Sequence, residues 1–128
     1  MRVLVFGTFD NLHPGHQFLL TEASVRGELW VTVARDETVE KIKGKLPDQS
    51  QEERVEKIQS SFPDAHVFLG DAQNYAVPIT EAAPDLVVLG YDQQLPPGVT
   101  EEDFLCPIER LKAHKPEQYK SSILRERQ

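Results

Sequence analysis

The stretch Val3-Leu4-Val5-Phe6-Gly7-Thr8-Phe9-Asp10-Asn11-Leu12-His13-Pro14-Gly15-His16-Gln17-Phe18-Leu19-Leu20 decides how this chain folds. An apolar run of this kind, uninterrupted by polar residues, is the pattern of a parallel strand covered on both faces. It ends in a glycine turn and re-enters as a helix running from about Pro14 to Arg26, with Leu19, Leu20 and Ala23 on one stripe. Pro14 suits the first helical position, because the N–H it lacks would have no partner there anyway. A buried strand that turns straight into a helix brings backbone N–H groups to one spot, and the helix dipole makes that spot favourable for an anion. His13 and His16, three residues apart, lie on the same side of the first turn. Gly15 between them lets a ligand approach the backbone closely. A phosphate could sit among these groups. By residues alone the segment also reads as an ordinary Pro-Gly turn.

Outward from this segment the same alternation continues. Leu29 to Ala34 reads as a second strand, and Asp36 is placed to cap a short helix through Val39 and Ile42. Gly44 to Gln49 is a loop in which Pro47 discourages helix, and Gln51 to Ser60 is an amphipathic helix carrying Val55 and Ile58. Val67-Phe68-Leu69 is a third strand, ended by Gly70-Asp71. A helix is expected over Asn74 to Ala83, and Leu86-Val87-Val88-Leu89 is a central strand bounded by Pro84-Asp85 and Gly90. A loop over Gln94 to Thr100 leads to a helix start at Thr100. A last strand within Leu105 to Leu111 belongs at an edge because of Pro107, and a C-terminal helix begins at Ser121. Strand–helix alternation implies an α/β fold with a doubly wound parallel sheet. Ligands of such sheets bind past the carboxyl ends of the strands. That places Gly7 to His16, Arg35 to Lys45, Gly90 to Gln93 and the Ser121 region around one site.

Composition narrows the class. At 128 residues with 39% hydrophobic content the chain is expected to form one domain, residues 1–128, with a real core. No stretch approaches the ~20 apolar residues of a membrane span, and no signal peptide is expected ahead of the first strand. The single cysteine, Cys106, fits a reducing cytoplasm and is expected to be a small buried hydrophobe in a strand. Fourteen basic against 21 acidic residues give a net charge of −7. Nucleic acid is therefore not expected as a partner, since polyanion binding relies on clustered Lys and Arg. A small anionic substrate needs only a local pocket, and basic residues do cluster at Lys41 to Lys45 and Arg110 to Lys120. The P-loop and G-x-G-x-x-G strings are absent. A zinc site on His13 and His16 lacks two further ligands, so no protein-held metal is expected. Serine or cysteine nucleophile schemes lack a base and an orienting carboxylate.

Gly7-Thr8-Phe9-Asp10-Asn11-Leu12-His13-Pro14-Gly15-His16 resembles the G-T-F-D-x-x-H-x-G-H signature of the cytidylyltransferase-like nucleotidyltransferases. That group includes glycerol-3-phosphate cytidylyltransferases, phosphopantetheine adenylyltransferases and archaeal-type FAD synthases. The likeness continues through Ala34-Arg35-Asp36-Glu37-Thr38-Val39, Lys43-Gly44-Lys45, Gln51-Glu52-Glu53-Arg54, Leu89-Gly90-Tyr91-Asp92-Gln93 and Lys120-Ser121-Ser122, in the family's order. It implies a Rossmann-like nucleotidyltransferase fold of about five strands.

The resemblance also implies roles. Nucleotidyl transfer is mainly positioning plus stabilisation of charge on the α-phosphoryl and bridging oxygens. His13 and His16 are expected to donate hydrogen bonds to the triphosphate, with Lys45 as a further catalytic group. Thr8, the Phe9 backbone and Gly15 line the same cradle. Gly90, Asp92 and Gln93 stand where the family reads base and ribose, and Ser121 and Ser122 where it holds the β- and γ-phosphates. Asp10, Lys43, Arg54, Arg110 and Lys112 are expected around the acceptor, with either Lys43 or Lys45 on a phosphate. Mg²⁺ is implied because a triphosphate usually travels with it. The R-T-x-G-I-S-T string of the glycerol-3-phosphate enzymes is missing, and Gln93 replaces the tryptophan they carry after the Gly90-x-Asp92 equivalent. The blocks resemble more closely the FAD synthases, which adenylylate FMN. The expected reaction is ATP plus FMN giving FAD and pyrophosphate. The alternatives are CTP with a polyol or sugar phosphate, and a nucleotide-binding regulator without turnover. A homodimer is a family expectation.

Overall fold

A computed structural model describes residues 1–70, 82–91, 93, 95 and 99–112. Its elements are strand β1 (Arg2–Gly7), helix α1 (Pro14–Ser24), β2 (Glu28–Val33), α2 (Asp36–Lys43), α3 (Gln51–Ser61), β3 (His66–Leu69), β4 (Leu86–Leu89), a 3₁₀ turn (Glu101–Asp103) and β5 (Ile108–Arg110). The strands form one sheet in the order β3-β2-β1-β4-β5, and every neighbouring pair is parallel. Chain order therefore reverses between β1 and β4, which opens a crevice beyond their carboxyl ends. β5 lies at the edge, and Pro107 stands immediately ahead of it.

The period-2 geometry of a strand explains why β1 is apolar throughout. Val3 and Val5 face one core, with Leu19, Leu20 and Ala23 of α1 and Ile58 of α3. Leu4 and Phe6 face a second core on the other side of the sheet, with Ala82, Val87, Leu89, Val99 and Phe104. Each fully buried valine or leucine of this strand contributes about 1.5–3 kcal/mol relative to exposure. A forked ion pair from Arg26, whose Nε and Nη2 donate to Glu109 at 2.9 and 2.8 Å, ties the end of the α1 segment to β5.

Several local expectations are corrected. α1 stops at Ser24, with Val25 as its C-cap. Asp36 does not cap α2. Arg35 is the N-cap and Asp36 the first helical residue, its carboxylate taken by Arg54 at 2.8 Å. Ile42, within α2 as expected, is exposed. Cys106 lies ahead of β5, half-buried, where Pro107 delays the strand; it still packs with the second core. The helix start expected at Thr100 is a single 3₁₀ turn with a capping box to Asp103. Most of the helix expected over Asn74 to Ala83, and all of the one from Ser121, lie outside the described residues.

Candidate active site

The β1–α1 crossover sits at the reversal point of the sheet. Between Gly7 and His13 the chain makes a tight turn with Phe9 and Asn11 in the left-handed region, at φ 56° and 52°. Asn tolerates that region, whereas a Phe there is strained by about 1–2 kcal/mol. The strain is offset by burial, for the Phe9 ring is 3% exposed and meets the His16 ring edge-on at 5.4 Å.

His13 is the N-cap of α1 and does the capping with its ring. Its Nδ1 accepts the N–H groups of Gly15 (3.1 Å) and His16 (3.3 Å), while Nδ1 of His16 accepts the His13 N–H at 3.4 Å. The two imidazoles stack, with centroids 3.6 Å apart and planes 20° from parallel. This reciprocal box has a chemical consequence. A nitrogen that accepts a hydrogen bond keeps its lone pair, so in each neutral ring the proton belongs on Nε2. The amides of Gly15 and His16, expected to meet the ligand directly, are occupied by His13. What the crossover offers in their place is a pair of Nε2–H donors. Burial, followed by the charges of His13 and Lys43, lowers the His16 pKa to about 4 against the smaller opposing pull of Asp10, so His16 is neutral at pH 7.

Gly15 has a different reason from the one expected. A Cβ there would stand 3.0 Å from Cε1 and 3.2 Å from Nδ1 of His13. Glycine makes room for the capping ring. Asp10 is likewise committed to the fold. Its Oδ2 and Oδ1 accept the N–H groups of Asp48 (2.8 Å) and Gln49 (3.0 Å). Partial burial opposes ionisation of Asp10, but these two N–H groups and the charges of Arg54 and Lys43 outweigh it and hold the carboxyl below its ordinary range. Asn11 adds two more ties to the same loop, its N–H donating to Gln49 Oε1 and its Nδ2 to Asp48 Oδ2.

Arg54, expected at the acceptor, is fully buried and donates to Gln49, Thr8 and Asp36. With no exposed surface it has no contact to offer a substrate. Lys43, Lys45 and Lys112 are exposed, and the charge of Lys43 is felt at both His16 and Asp10.

Across the crevice, Gln93 braces the two strands that flank it. Its Oε1 accepts the Gly90 N–H at 3.0 Å, and its Nε2 donates to the Phe6 carbonyl at 2.6 Å. Arg110 donates to the carbonyls of Gly90 (3.0 Å) and Gln93 (2.6 Å), so it shapes this turn from the edge strand. The structure thus brings Thr8, Phe9, Asp10, His13, Gly15 and His16 together at one crossover, with Gly90, Gln93 and Arg110 at the next strand and Lys43 exposed at the end of α2. Asp92, Ser121 and Ser122 lie outside the described residues. Asn11, an unspecified position of the signature, and Asp48 and Gln49, outside any motif, gave no signal in the sequence; their bonds, those to Asp10 included, span 37 to 39 positions. Arg54 had a signal, since it stands four residues before Ile58 on the buried stripe of α3.

Comparison with known proteins agrees with this geometry. Residues 4–127 match the family model described as cytidylyltransferase-like. The chain is 40% identical over 119 residues to an FAD synthase of Natronomonas pharaonis, covering 88% of this chain and 83% of that one. It is 40% identical over 104 residues to an FAD synthase of Aciduliprofundum boonei, covering 80% and 69%. A third FAD synthase, from Methanopyrus kandleri, is 42% identical over 98 residues, covering 73% and 65%. Among solved structures, a lipopolysaccharide core biosynthesis protein from Thermoplasma volcanium superposes with a TM-score of 0.75 at 30% identity, covering 88% of this chain and 96% of that one. A parallel sheet reversing at a His-x-Gly-His crossover, with the family model matched over residues 4–127 and relatives covering 73–88% of the chain, places the chain in the cytidylyltransferase-like family of nucleotidyltransferases.

Proposed function

We propose that this chain is an FMN adenylyltransferase, acting as one domain over residues 1–128. In the reaction a phosphate oxygen of FMN attacks the α-phosphorus of ATP. The bond from that phosphorus to the β-bridging oxygen breaks, and FAD and pyrophosphate result. The attacking phosphate oxygen is already anionic, so no general base is required. What the reaction needs is donors aimed at the oxygens where charge builds up. The observation that carries this reading is the imidazole pair, stacked at 3.6 Å with each Nδ1 tied to the backbone, which leaves both Nε2–H groups to donate, without a hydrogen-bond partner among the described residues. The neutral His16 imidazole suits the task, because it donates without releasing its proton. The three FAD synthase relatives favour ATP and FMN over CTP and a polyol phosphate.

A divalent metal accompanies the nucleotide in enzymes of this kind, and Mg²⁺ is the cation we assign. Among the described residues no group of three His, Cys, Asp or Glu side chains is gathered to hold a metal. Bound with ATP, such a cation would be held chiefly by triphosphate oxygens and would supply neutralisation of charge on the leaving pyrophosphate. Among the described residues no helix is long and apolar enough to cross a membrane.

The test is pyrophosphate release by purified protein with Mg²⁺, run as a grid of ATP and CTP against FMN and glycerol 3-phosphate. Turnover with ATP and FMN, and FAD in the product, is the expected result. Turnover only with CTP would move the assignment to cytidylyl transfer. Nucleotide binding with no turnover in any pair would leave a regulator without catalysis.

A further inference from the structure

Among the described residues Arg54 is the one charged side chain with no exposure at all, on a helix whose neighbours Glu52, Glu53, Glu56 and Lys57 are exposed. Taking a guanidinium out of water costs several kcal/mol, and an apolar side chain of similar size would fill such a place at lower cost. Stability alone is therefore a poor reason for an arginine here. Its contacts supply a better one. Nε donates to the Gln49 carbonyl at 3.1 Å, Nη1 to the Thr8 carbonyl at 2.8 Å, and Nη2 to Asp36 Oδ1 at 2.8 Å. These acceptors belong to three separate segments: the turn after β1, the end of the loop that follows Lys43, and the first residue of the helix that ends at Lys43. A planar fork with five N–H donors can join three such segments, and an apolar side chain cannot. From the outer side, Asp10 and Asn11 bind the same loop through Asp48 and Gln49.

We propose that Arg54 is a positioning residue for nucleotidyl transfer: it fixes the segment of Lys43 against the turn of Thr8, so that the ammonium and the imidazole pair address the same phosphate. The proposal rests on the functional reading above and assigns Arg54 a part other than acceptor contact. Gly44, at φ 84°, ends α2 and starts the loop, so the lysine segment has a flexible joint just after Lys43 and depends on these ties for its place.

A double-mutant cycle tests it. Arg54→Lys keeps a charge for Asp36 but loses the fork. Wild type, Arg54→Lys, Lys43→Ala and the double variant are compared by pyrophosphate release with ATP and FMN. Arg54→Lys is expected to lower kcat about 10–100-fold, the scale of a small misplacement of a catalytic group. The FMN KM should stay within about twofold, and the double variant should be no more than about twofold below Lys43→Ala, because both changes remove the same interaction. Multiplying losses, a loss confined to the FMN KM, or undiminished activity in Arg54→Lys would each overturn the proposal. If circular dichroism shows Arg54→Lys unfolded, Asn11→Gly replaces it in the cycle. Glycine accepts the left-handed backbone at position 11 and deletes the side-chain bond from Asn11 Nδ2 to Asp48 Oδ2. Loss that does not add to Lys43→Ala supports the proposal, and additive loss or none overturns it. A wild type inactive with every substrate pair removes the functional reading and this inference together; an active wild type with independent losses removes only the role of Arg54.

Discussion

Replacing Gly15 with alanine separates the stability of α1 from its chemistry. The added Cβ would stand 3.0 Å from Cε1 and 3.2 Å from Nδ1 of His13, against an ordinary carbon contact of about 3.5–4.0 Å. The ring must then retreat by a few tenths of an ångström, which lengthens the bonds that Nδ1 accepts from Gly15 and His16. A weakened N-cap costs up to about 1 kcal/mol. Alanine in place of glycine in a helix returns up to about 1 kcal/mol. The two nearly cancel, so a thermal melt should move by about 2 °C or less. Catalysis has no such offset. The same displacement moves a donor away from the α-phosphate and loosens the constraint on its tautomer, so kcat should fall roughly 10–100-fold. The assay pairs a melt followed by circular dichroism with pyrophosphate release. A variant with wild-type kcat would show that the His13 ring position does not matter to catalysis. So would a variant that loses activity only in proportion to lost fold, since that would make Gly15 a matter of stability alone.

His16→Ala should lower kcat by about 10²-fold while triphosphate affinity falls far less, as for removal of one transition-state donor; equal losses in binding and turnover would contradict that role. The His16 pKa, lowered to about 4 from 6.5, also makes stability pH-dependent. The unfolded chain takes up the His16 proton below about pH 6.5 and the folded one only near 4, so this contribution is complete at pH 7 and is lost on acidification. The gap converts to roughly 3 kcal/mol at full value, but solvent screening of a half-open ring reduces it to about 1–2 kcal/mol. Urea unfolding of wild type and His16→Gln at pH 7 and pH 5 should show the wild type losing more, and parallel losses would refute the linkage. Gln93→Ala leaves the Phe6 carbonyl and Gly90 N–H without their partner, which should cost about 1–3 kcal/mol and raise the ATP KM; unchanged unfolding would show that the brace carries no load.

The fold was legible because its signals are local. The run Val3 to Phe6 is apolar at every position, which only a strand buried on both faces requires, and β1 is the central strand. Pro14 marked the start of α1 to the residue, since proline at that place loses no hydrogen bond. The edge position of β5 followed from Pro107. The site was legible as a set of residues more than as a set of roles. His13 and His16 meet as their spacing implies, yet nothing in the spacing reveals that the His13 ring would cap its own helix and occupy the amides expected to face a ligand. That depends on side-chain torsions. Asp10 and Arg54 look like ligand-binding charges in the sequence because their motif places them at the site. Their acceptors and donors lie far along the chain, at Asp48, Gln49 and Thr8, and only the folded chain shows those bonds. Asp36 fits a capping pattern, but a buried guanidinium claims its carboxylate.

The tautomers of the two rings are the point on which the chemistry turns. Long-range ¹H–¹⁵N correlation spectra of the histidine side chains, recorded at pH 7 as ATP is added with Mg²⁺, read each ring nitrogen separately. His13 and His16 should carry their proton on Nε2 before ligand, and the Nε2 signals should move on titration while both Nδ1 signals stay those of hydrogen-bond acceptors. A proton on Nδ1 of either ring, or Nε2 signals indifferent to saturating nucleotide, would contradict this chemistry.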